Sequence, residues 1–349
     1  MTVTDGSAVA GDPWWRRVSL GRWSAVILGG IFLLYFGLTE ENYLTAITFE
    51  TTLNERVTIG FMTLGLLVPL AAGTFDLSVG AMVGFSGMVL TWIEKDNELG
   101  AGNVWLGIIV VLAMCAAFGF VSGFLVVKLR INSFIATLGM SQVISAALLW
   151  RSDNQRLSDA YSDDFREIAR GDFFSMGEFG VPKAFIYLLI ASVIIWYLLE
   201  YTPSGRKLFA TGGNPDAARL AGVRTGRYIW SSLVVSSVLA GIGGIILAMR
   251  QGAASPQTGP PLLFPAFAAV FFGATQIKNR PNVWGTVIAI YVLAFGARGF
   301  QLKSPGVWVD PLFNGVALVV AVAAASIDWG AVRRGYRRRF GSDPAAAEA

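Results

Sequence analysis

The 349-residue chain is too apolar to present an ordinary water-soluble surface, since 54% of its residues are hydrophobic, 14% are charged and its mean hydropathy is +0.58. A bilayer is therefore the expected solvent. The chain has no histidine and one cysteine, Cys115, which excludes intrachain disulfides, Cys/His zinc sites and imidazole-dependent catalytic triads. The net charge of +4 would suit nucleic acid, but the distribution of the charges favours a membrane protein that binds none.

Apolar runs near the length that spans a bilayer, about 20 residues, recur along the chain. They predict an all-α, polytopic transmembrane bundle of about ten helices. The predicted segments are 23–38, 57–73, 78–93, 104–127, 132–150, 183–200, 228–249, 262–276, 283–300 and 311–327. The third and eighth segments are short and Pro265 interrupts the eighth, so either is expected to be tilted, broken or re-entrant.

Basic residues set the predicted orientation. Arg16, Arg17 and Arg22 precede the first segment, which lacks a small-residue cleavage pattern and is therefore a span rather than a cleavable signal. Placing this end in the cytoplasm puts most of the 27 Lys and Arg residues inside, as the positive-inside rule requires. The predicted parts are a cytoplasmic N-terminal segment (1–22), a transmembrane domain (23–327) with a cytoplasmic loop (202–227) and an external loop (151–182), and a basic cytoplasmic tail (328–349).

A carboxylate lies at the junction of the second and third segments. Asp76 is flanked by Gly73 and Gly80, which permit a sharp turn, and is followed closely by Ser78. Asp76 and Ser78 can cap the start of the third helix by accepting its free N–H groups. Because ionisable groups inside a membrane are costly, a role in lining a solute path is the alternative.

The fifth segment carries a hydroxyl-rich stripe. Ser133, Thr137 and Ser141 follow one another at four-residue spacing, with Asn132 and Gln142 alongside, so they share one helical face. Hydroxyls and amides suit a neutral polyhydroxylated solute, and helix–helix hydrogen bonding is the equally open alternative.

Small residues recur at four-residue steps in two other segments, which predicts close helix packing. The seventh segment has Ser232, Ser236, Ala240, Gly244 and Ala248, and the fourth has Cys115, Gly119 and Gly123.

The loop between the sixth and seventh segments encodes a short helix. Asn214 can cap its N-terminus, Pro215 suits the first helical position, Asp216 complements the positive dipole end, and Gly222 can take the left-handed stop. A helix this short is unstable alone in water. It is therefore either a docking element held by a partner or an ordinary ordered loop.

Three blocks of sequence together resemble the membrane permeases of bacterial ABC importers for ribose, xylose, arabinose and related solutes. The blocks are Phe75-Asp76-Leu77-Ser78-Val79-Gly80, residues 131–140 (INSFIATLGM), and Gly205-Arg206 followed by residues 212–222 (GGNPDAARLAG). The resemblance extends from about residue 59 to residue 325. It departs from the family pattern at residues 71–74 (AAGT) and 272–282, where paired glycines are usual.

The resemblance implies a vitamin-B12-importer-like permease architecture in the bacterial cytoplasmic membrane, with both termini inside. It implies a second permease copy, an ABC ATPase subunit inside and a periplasmic or lipid-anchored solute-binding protein outside. The residues expected to couple to the ATPase are Gly205, Arg206, Gly213, Asn214, Pro215, Asp216, Ala217, Ala218, Arg219 and Gly222. The candidates for the translocation path are Asp76, Ser78, Asn132, Ser133, Thr137, Ser141 and Gln142.

The chain has no G-x-x-x-x-G-K-[ST] phosphate loop, so we expect a transport subunit without its own ATPase site, and no cofactor or metal. A branched-chain amino acid permease is the closest alternative, and an ATP-independent channel or facilitator is a further one. A lipid-linked transferase would need a carboxylate cluster that the spans lack. In the external loop, Phe165 and Ile168 are either a receptor contact or part of a solvated loop.

Overall fold

The computed structural model describes residues 20–95, 104–158, 161, 163–177, 179–276 and 280–326. Most of the predicted N-terminal segment and the basic tail lie outside these residues. In chain order the helices are α1 (Leu20–Thr39), α2 (Ala46–Glu55), α3 (Val57–Ala71), α4 (Val79–Lys95), α5 (Val104–Val127), α6 (Ser133–Ser152), α7 (Asp163–Ala169), α8 (Lys183–Tyr201), α9 (Pro203–Gly213), α10 (Pro215–Leu220), α11 (Thr225–Gln251), α12 (Leu263–Gln276), α13 (Val283–Lys303) and α14 (Val309–Ser326).

Ten of these helices coincide with the ten predicted segments, namely α1, α3, α4, α5, α6, α8, α11, α12, α13 and α14. Five of them, α5, α6, α8, α11 and α13, are long and apolar enough to cross a membrane. The helical prediction is therefore confirmed. The eighth segment is not broken by Pro265, because this residue lies in the first turn of α12, where an N–H has no helical partner anyway. A 3₁₀ turn, Pro260–Leu262, leads into that helix.

Four short strands add a little β-structure that the all-α prediction did not include. Strand β1 (Leu157–Ser158) pairs with β4 (Ala253–Ala254), and β2 (Asp172–Met176) forms a hairpin with β3 (Phe179–Pro182). All lie between helices, where the backbone must find hydrogen-bond partners outside a helix.

Helices α3, α4 and α11 form the centre of the molecule. Nearly every residue of α3 and α4 is buried, and α11 packs against α3, α4 and α5. The predicted row on α5 packs against α11, and the predicted row on α11 packs against α3 and α4 through Ser236, Gly244 and Ala248, so both rows lie in helix–helix contacts. A Cβ at Gly119 would lie 2.7 Å from Val234 Cα, and one at Gly241 would lie 2.7 Å from Cys115 Sγ. Only small residues allow the two backbones to approach this closely.

The outer helices present apolar side chains to their surroundings, as lipid-facing helices do. Such large exposed side chains include Ile31, Ile109, Ile135, Ile194 and Val319. A soluble protein rarely exposes this much contiguous apolar surface, so the distribution agrees with a surrounding bilayer.

The external loop is folded rather than merely solvated. Phe165 of α7 is buried and its ring lies 5.1 Å from that of Tyr161, while Ile168 packs against the core. The two are therefore not a free receptor contact, because the core already covers them. Burial raises the pKa of Tyr161, whose hydroxyl lies 2.6 Å from Thr91 Oγ1. The exposed apolar side chains of this loop are instead on β2.

The close packing of α4 against α11 predicts that a methyl group at position 244 is destabilising. A Cβ on Gly244 would meet Val83 O and Ser86 Oγ, whereas one on Gly30 of α1 would meet no atom within 4 Å. Overpacking should cost about 1–3 kcal/mol. Gly244→Ala should therefore lower the melting temperature of the detergent-solubilised protein, and Gly30→Ala should not. Equal melting temperatures for both variants would contradict this packing.

Candidate functional site

Residues 72–78, which join α3 to α4, are not helical and are here called the break. Gly73 takes a left-handed conformation, with φ of +77°. Pro69 O accepts hydrogen bonds from the N–H of Thr74 at 2.9 Å and from its Oγ1 at 3.1 Å. The turn therefore satisfies part of its own backbone, but the N–H groups beyond Thr74 need partners from elsewhere.

Asp76 is completely buried in the break. Its Oδ1 accepts a hydrogen bond from the N–H of Ser78 at 3.0 Å and another from the Ser78 hydroxyl. This arrangement caps the start of α4. Its Oδ2 is buried and accepts no hydrogen bond from the described residues, although Ser236 of α11 lies beside the carboxylate. The carboxylate is thus the polar group around which Ser78 and Ser236 gather in the centre of the bundle.

The hydroxyl stripe of α6 supplies the missing partners. Ser133 Oγ accepts a hydrogen bond from the N–H of Phe75 at 3.2 Å, and Thr137 Oγ1 accepts one from the N–H of Leu77 at 2.9 Å. Thr137 also donates to Ser133 O at 2.7 Å. Two sequence blocks some 60 residues apart therefore form one hydrogen-bonded unit.

The other candidates on α6 lie elsewhere. Asn132 caps the helix, with its Oδ1 accepting a hydrogen bond from the N–H of Phe134 at 2.9 Å. Ser141 is buried one turn beyond Thr137, whereas Gln142 is exposed. The structure thus brings Asp76, Ser78, Ser133 and Thr137 together, and leaves Asn132 and Gln142 on the open side of α6.

Helices α9 and α10 form a hairpin-like element, residues 202–222, here called the coupling element after the role that the family resemblance predicts for it. Thr202 Oγ1 accepts a hydrogen bond from the N–H of Gly205 at 3.2 Å, and Asn214 Oδ1 accepts one from the N–H of Ala217 at 3.0 Å. Gly222, with φ of +80°, ends the element. Each helix therefore begins at a side-chain cap, and α10 occupies the position that the sequence predicts.

The surface of α10 is mostly open. Leu220 is 92% exposed, while Ala218 is buried against the bundle and so anchors the helix. Asp216 forms an ion pair with Arg219 along its exposed side. Besides these, the exposed candidate residues are Arg206, Gly213, Asn214, Pro215, Ala217 and Gly222, and Gly205 is buried. A lone leucine at the tip of a polar helix offers an apolar anchor to a partner.

The coupling element touches the break directly. A Cβ at Gly212 would meet Ala71 O and would lie 2.8 Å from the Gly73 amide nitrogen. The end of α9 and the turn after α3 therefore pack backbone to backbone. Gly212 is not among the coupling residues predicted from the sequence, although it lies within the third family block.

A second contact ties the coupling element to the opposite loop. Arg280 Nη2 donates to both carboxylate oxygens of Glu200, at 2.8 and 2.7 Å, and its guanidinium lies 4.2 Å from the centroid of the Phe209 ring. Glu200 ends α8 and Phe209 belongs to α9. The loop before α13, where the family glycines are missing, is thus held against α9 by charge and by a ring face.

Asn282 shapes that same loop, and it is not among the predicted site residues. Its Oδ1 accepts a hydrogen bond from the N–H of Gly285 at 2.7 Å, and its Nδ2 donates to Gly273 O at 3.2 Å. The sequence signal that could have identified Asn282 is its position just before α13, which is typical of an N-cap. Residues 277–279 lie outside the described part of the chain.

Within the described ranges, no three His, Cys, Asp or Glu side chains come together as a metal site would require.

The role of Thr137 in holding the break can be tested by two substitutions. Thr137→Val removes the acceptor for the Leu77 N–H, and an unsatisfied buried donor costs about 1–3 kcal/mol. Thr137→Ser keeps the acceptor. We expect Val to lower the melting temperature of the solubilised protein clearly more than Ser does. An equal effect of both substitutions would mean that Thr137 acts only through packing.

Comparison with known proteins places this geometry in a family. Residues 48–325 match the family model described as branched-chain amino acid transport system / permease component. The ribose import permease protein RbsC of Escherichia coli (strain K12) is 25% identical over 316 residues, which cover 90% of this chain and 96% of that protein.

Two further relatives are also permeases. The galactose/methyl galactoside import permease protein MglC of Haemophilus influenzae is 28% identical, with 86% and 93% of the two chains covered. The L-arabinose transport system permease protein AraH of Escherichia coli (strain K12) is 31% identical, with 75% and 77% covered. No solved structure matches the chain. The chain belongs to the family of membrane permeases of bacterial ABC importers that includes these sugar permeases.

Proposed function

We propose that this chain is the membrane-spanning subunit of an ABC importer that moves a sugar or related small polar solute across the bacterial cytoplasmic membrane. A separate subunit binds and hydrolyses the ATP. The observation that carries the proposal is the backbone contact between Gly212 of the coupling element and Gly73 of the break. Through this contact, a partner that binds α10 can displace the buried polar groups of the break, Asp76 and Ser78.

Coupling then works by displacement of α10. Leu220 inserts into a groove of the ATPase subunit, and closure of the paired ATPases moves the whole coupling element. Because Gly212 and Gly73 are in backbone contact, the movement reaches the start of α4. The Glu200–Arg280 pair carries the same movement to the loop before α13. Alternation between two arrangements of these elements opens the solute path first to one side of the membrane and then to the other.

The class of solute follows from the groups near the break and from the relatives. Hydroxyls and amides dominate the polar groups of α6, and these donate and accept hydrogen bonds without fixing a charge. The proteins RbsC, MglC and AraH are named for ribose, galactose and arabinose. In the described conformation Asp76, Ser78 and Thr137 are buried, so a path through them opens only when α4 and α6 move apart.

A branched-chain amino acid is the second candidate solute, because the matching family model carries that description. A zwitterion requires charged partners along the path. Among the described residues, Asp76 of the break and Arg298 of α13 are the candidates for such partners. Uptake of radiolabelled ribose, arabinose and leucine by the same vesicles separates the two classes.

We further propose the vitamin-B12-importer-like arrangement of two permease copies, which the ten apolar helices support. The second copy packs against the open face of α6 that carries Gln142. The solute-binding protein docks outside, where Phe173, Phe174 and Met176 of β2 are exposed. Both termini are cytoplasmic in this arrangement.

Recovery of partners from the native membrane tests the proposal. The tagged chain, gently solubilised, should retain an ABC ATPase and a solute-binding protein that mass spectrometry identifies. Leu220→Asp should weaken ATPase recovery about tenfold or more, since burying a leucine contributes about 1.5–3 kcal/mol. Asp216→Lys should weaken it too, by disrupting the Arg219 pair and the dipole end of α10.

The matched control is Gln155→Asp, which places the same new charge on an exposed residue of the external loop. It should retain the ATPase. Full retention by Leu220→Asp would refute docking through α10. Recovery of no ATPase by the unmodified chain, under conditions that keep other importers assembled, would favour a channel or facilitator.

A further inference from the structure

An open cavity of about 590 Å³, closer to a surface groove than to an enclosed hole, lies beside the coupling element, at the ends of two transmembrane helices. The last turn of α5 contributes Val127, which is followed in the wall by Lys128. The first two turns of α11, which include Trp230, and the chain leading into them form another wall, and α10 contributes Arg219. Because helix ends of this length lie near the membrane surface, the cavity lies at the level of the lipid headgroups.

The walls of the cavity are strongly cationic. Lys128, Arg219, Arg224 and Arg227 all line it. Arg219 already pairs with Asp216, but the other three make no ion pair with any carboxylate in the described part of the chain. Arg224 also precedes α11 without a side-chain cap, so the positive end of the helix dipole adds to the field. Cations gathered around a space favour an anion inside it.

The apolar surface next to the cavity indicates what kind of anion this is. The exposed rings of Phe120 and Phe124 on α5 lie 4.8 and 6.3 Å from the ring of Trp230. They continue from the cavity toward the membrane centre, on the lipid-facing side of α5. Tryptophan at a helix end is typical of the membrane interface, and basic pockets between transmembrane helices suit anionic headgroups.

We propose that this cavity binds the phosphate headgroup of an anionic phospholipid, whose acyl chains lie along the Phe120–Phe124 face of α5. A soluble anion would contact only the cationic walls, whereas a phospholipid contacts both the cationic walls and the apolar face. The occupant contacts Arg219, so it also steadies α10. The binding site requires a membrane location but does not depend on the solute or on the ATPase.

Native mass spectrometry of the full-length, delipidated protein tests the site. Phosphatidylglycerol and phosphatidylcholine are added separately, and the dissociation constant of the tightest bound lipid is measured. Phosphatidylglycerol should bind at least tenfold more tightly than phosphatidylcholine. Arg224→Gln/Arg227→Gln should remove most of this preference, and the single change Lys128→Gln should reduce it in part.

The matched control, Arg156→Gln/Lys207→Gln, removes the same charge from two exposed positions outside the cavity. It should keep the preference for phosphatidylglycerol. Equal lipid preference in the cavity variant and in the control overturns the site, provided that both melt like the unmodified protein. If the double variant does not fold, Lys128→Gln takes its place, and an unchanged lipid preference in that variant overturns the site.

Two further measurements exclude other occupants. Inorganic phosphate at millimolar concentration should not displace phosphatidylglycerol, and displacement would assign the cavity to a soluble anion. The double variant should also retain its ATPase subunit. Loss of the ATPase with unchanged lipid binding would assign these arginines to a protein contact and overturn the proposal.

Discussion

Backbone polar groups cannot remain unpaired inside a bilayer, and the break between α3 and α4 is where this constraint is most demanding. Most residues of the break are buried, Asp76 and Ser78 completely, although Gly73 is exposed. Four of its N–H groups, those of Thr74, Phe75, Leu77 and Ser78, donate to Pro69 O, to the α6 hydroxyls of Ser133 and Thr137, and to the Asp76 carboxylate. The position of α6 is therefore set by the hydrogen bonds that its hydroxyls accept from the break, a distant part of the chain.

The same break joins the polar centre to the coupling element. Glycines at 73 and 212 let two backbones touch, which a Cβ at either position would prevent. The coupling element thus exposes Leu220 near its C-terminal end and holds Gly212, at its middle, against the break. It is also held by the packing of α9 on α8 and α11, by the buried Ala218, and by the Glu200–Arg280 pair with Phe209. The contact with the break is therefore one of several through which a movement of α10 would be passed on, alongside the packing on α8 and α11.

Much of this architecture follows from local sequence. The ten apolar helices are predictable because hydropathy and length alone decide what spans a bilayer. Helix α10 is predictable because Asn214, Pro215 and Gly222 mark both of its ends. The close packing of α5 on α11 follows from small residues at helical spacing.

The features that local sequence does not predict depend on contacts between distant segments. The sequence shows the stripe of Ser133 and Thr137 but not its partner at residues 75–77. Hydroxyls can form hydrogen bonds either to a solute or to backbone groups, so the stripe alone does not identify its partner. Gly212 looks like any helical glycine until Ala71 and Gly73 are placed beside it. Phe165 has the helical spacing of a surface contact, yet tertiary packing buries it. Pro265 lies in the first turn of α12. The local sequence does not predict this, because the position of the first turn depends on where the preceding chain ends.

The central claim is that Gly212 transmits movement from the coupling element to the break, and a methyl group at that position tests it most directly. Gly213→Ala is the control, since a Cβ there meets no atom within 4 Å, whereas one at Gly212 meets Ala71 O. Solute uptake and ATP hydrolysis would be measured on the assembled transporter. The account predicts that Gly212→Ala keeps its ATPase subunit but loses most uptake, and that Gly213→Ala loses far less. Equal uptake by the two variants would contradict it.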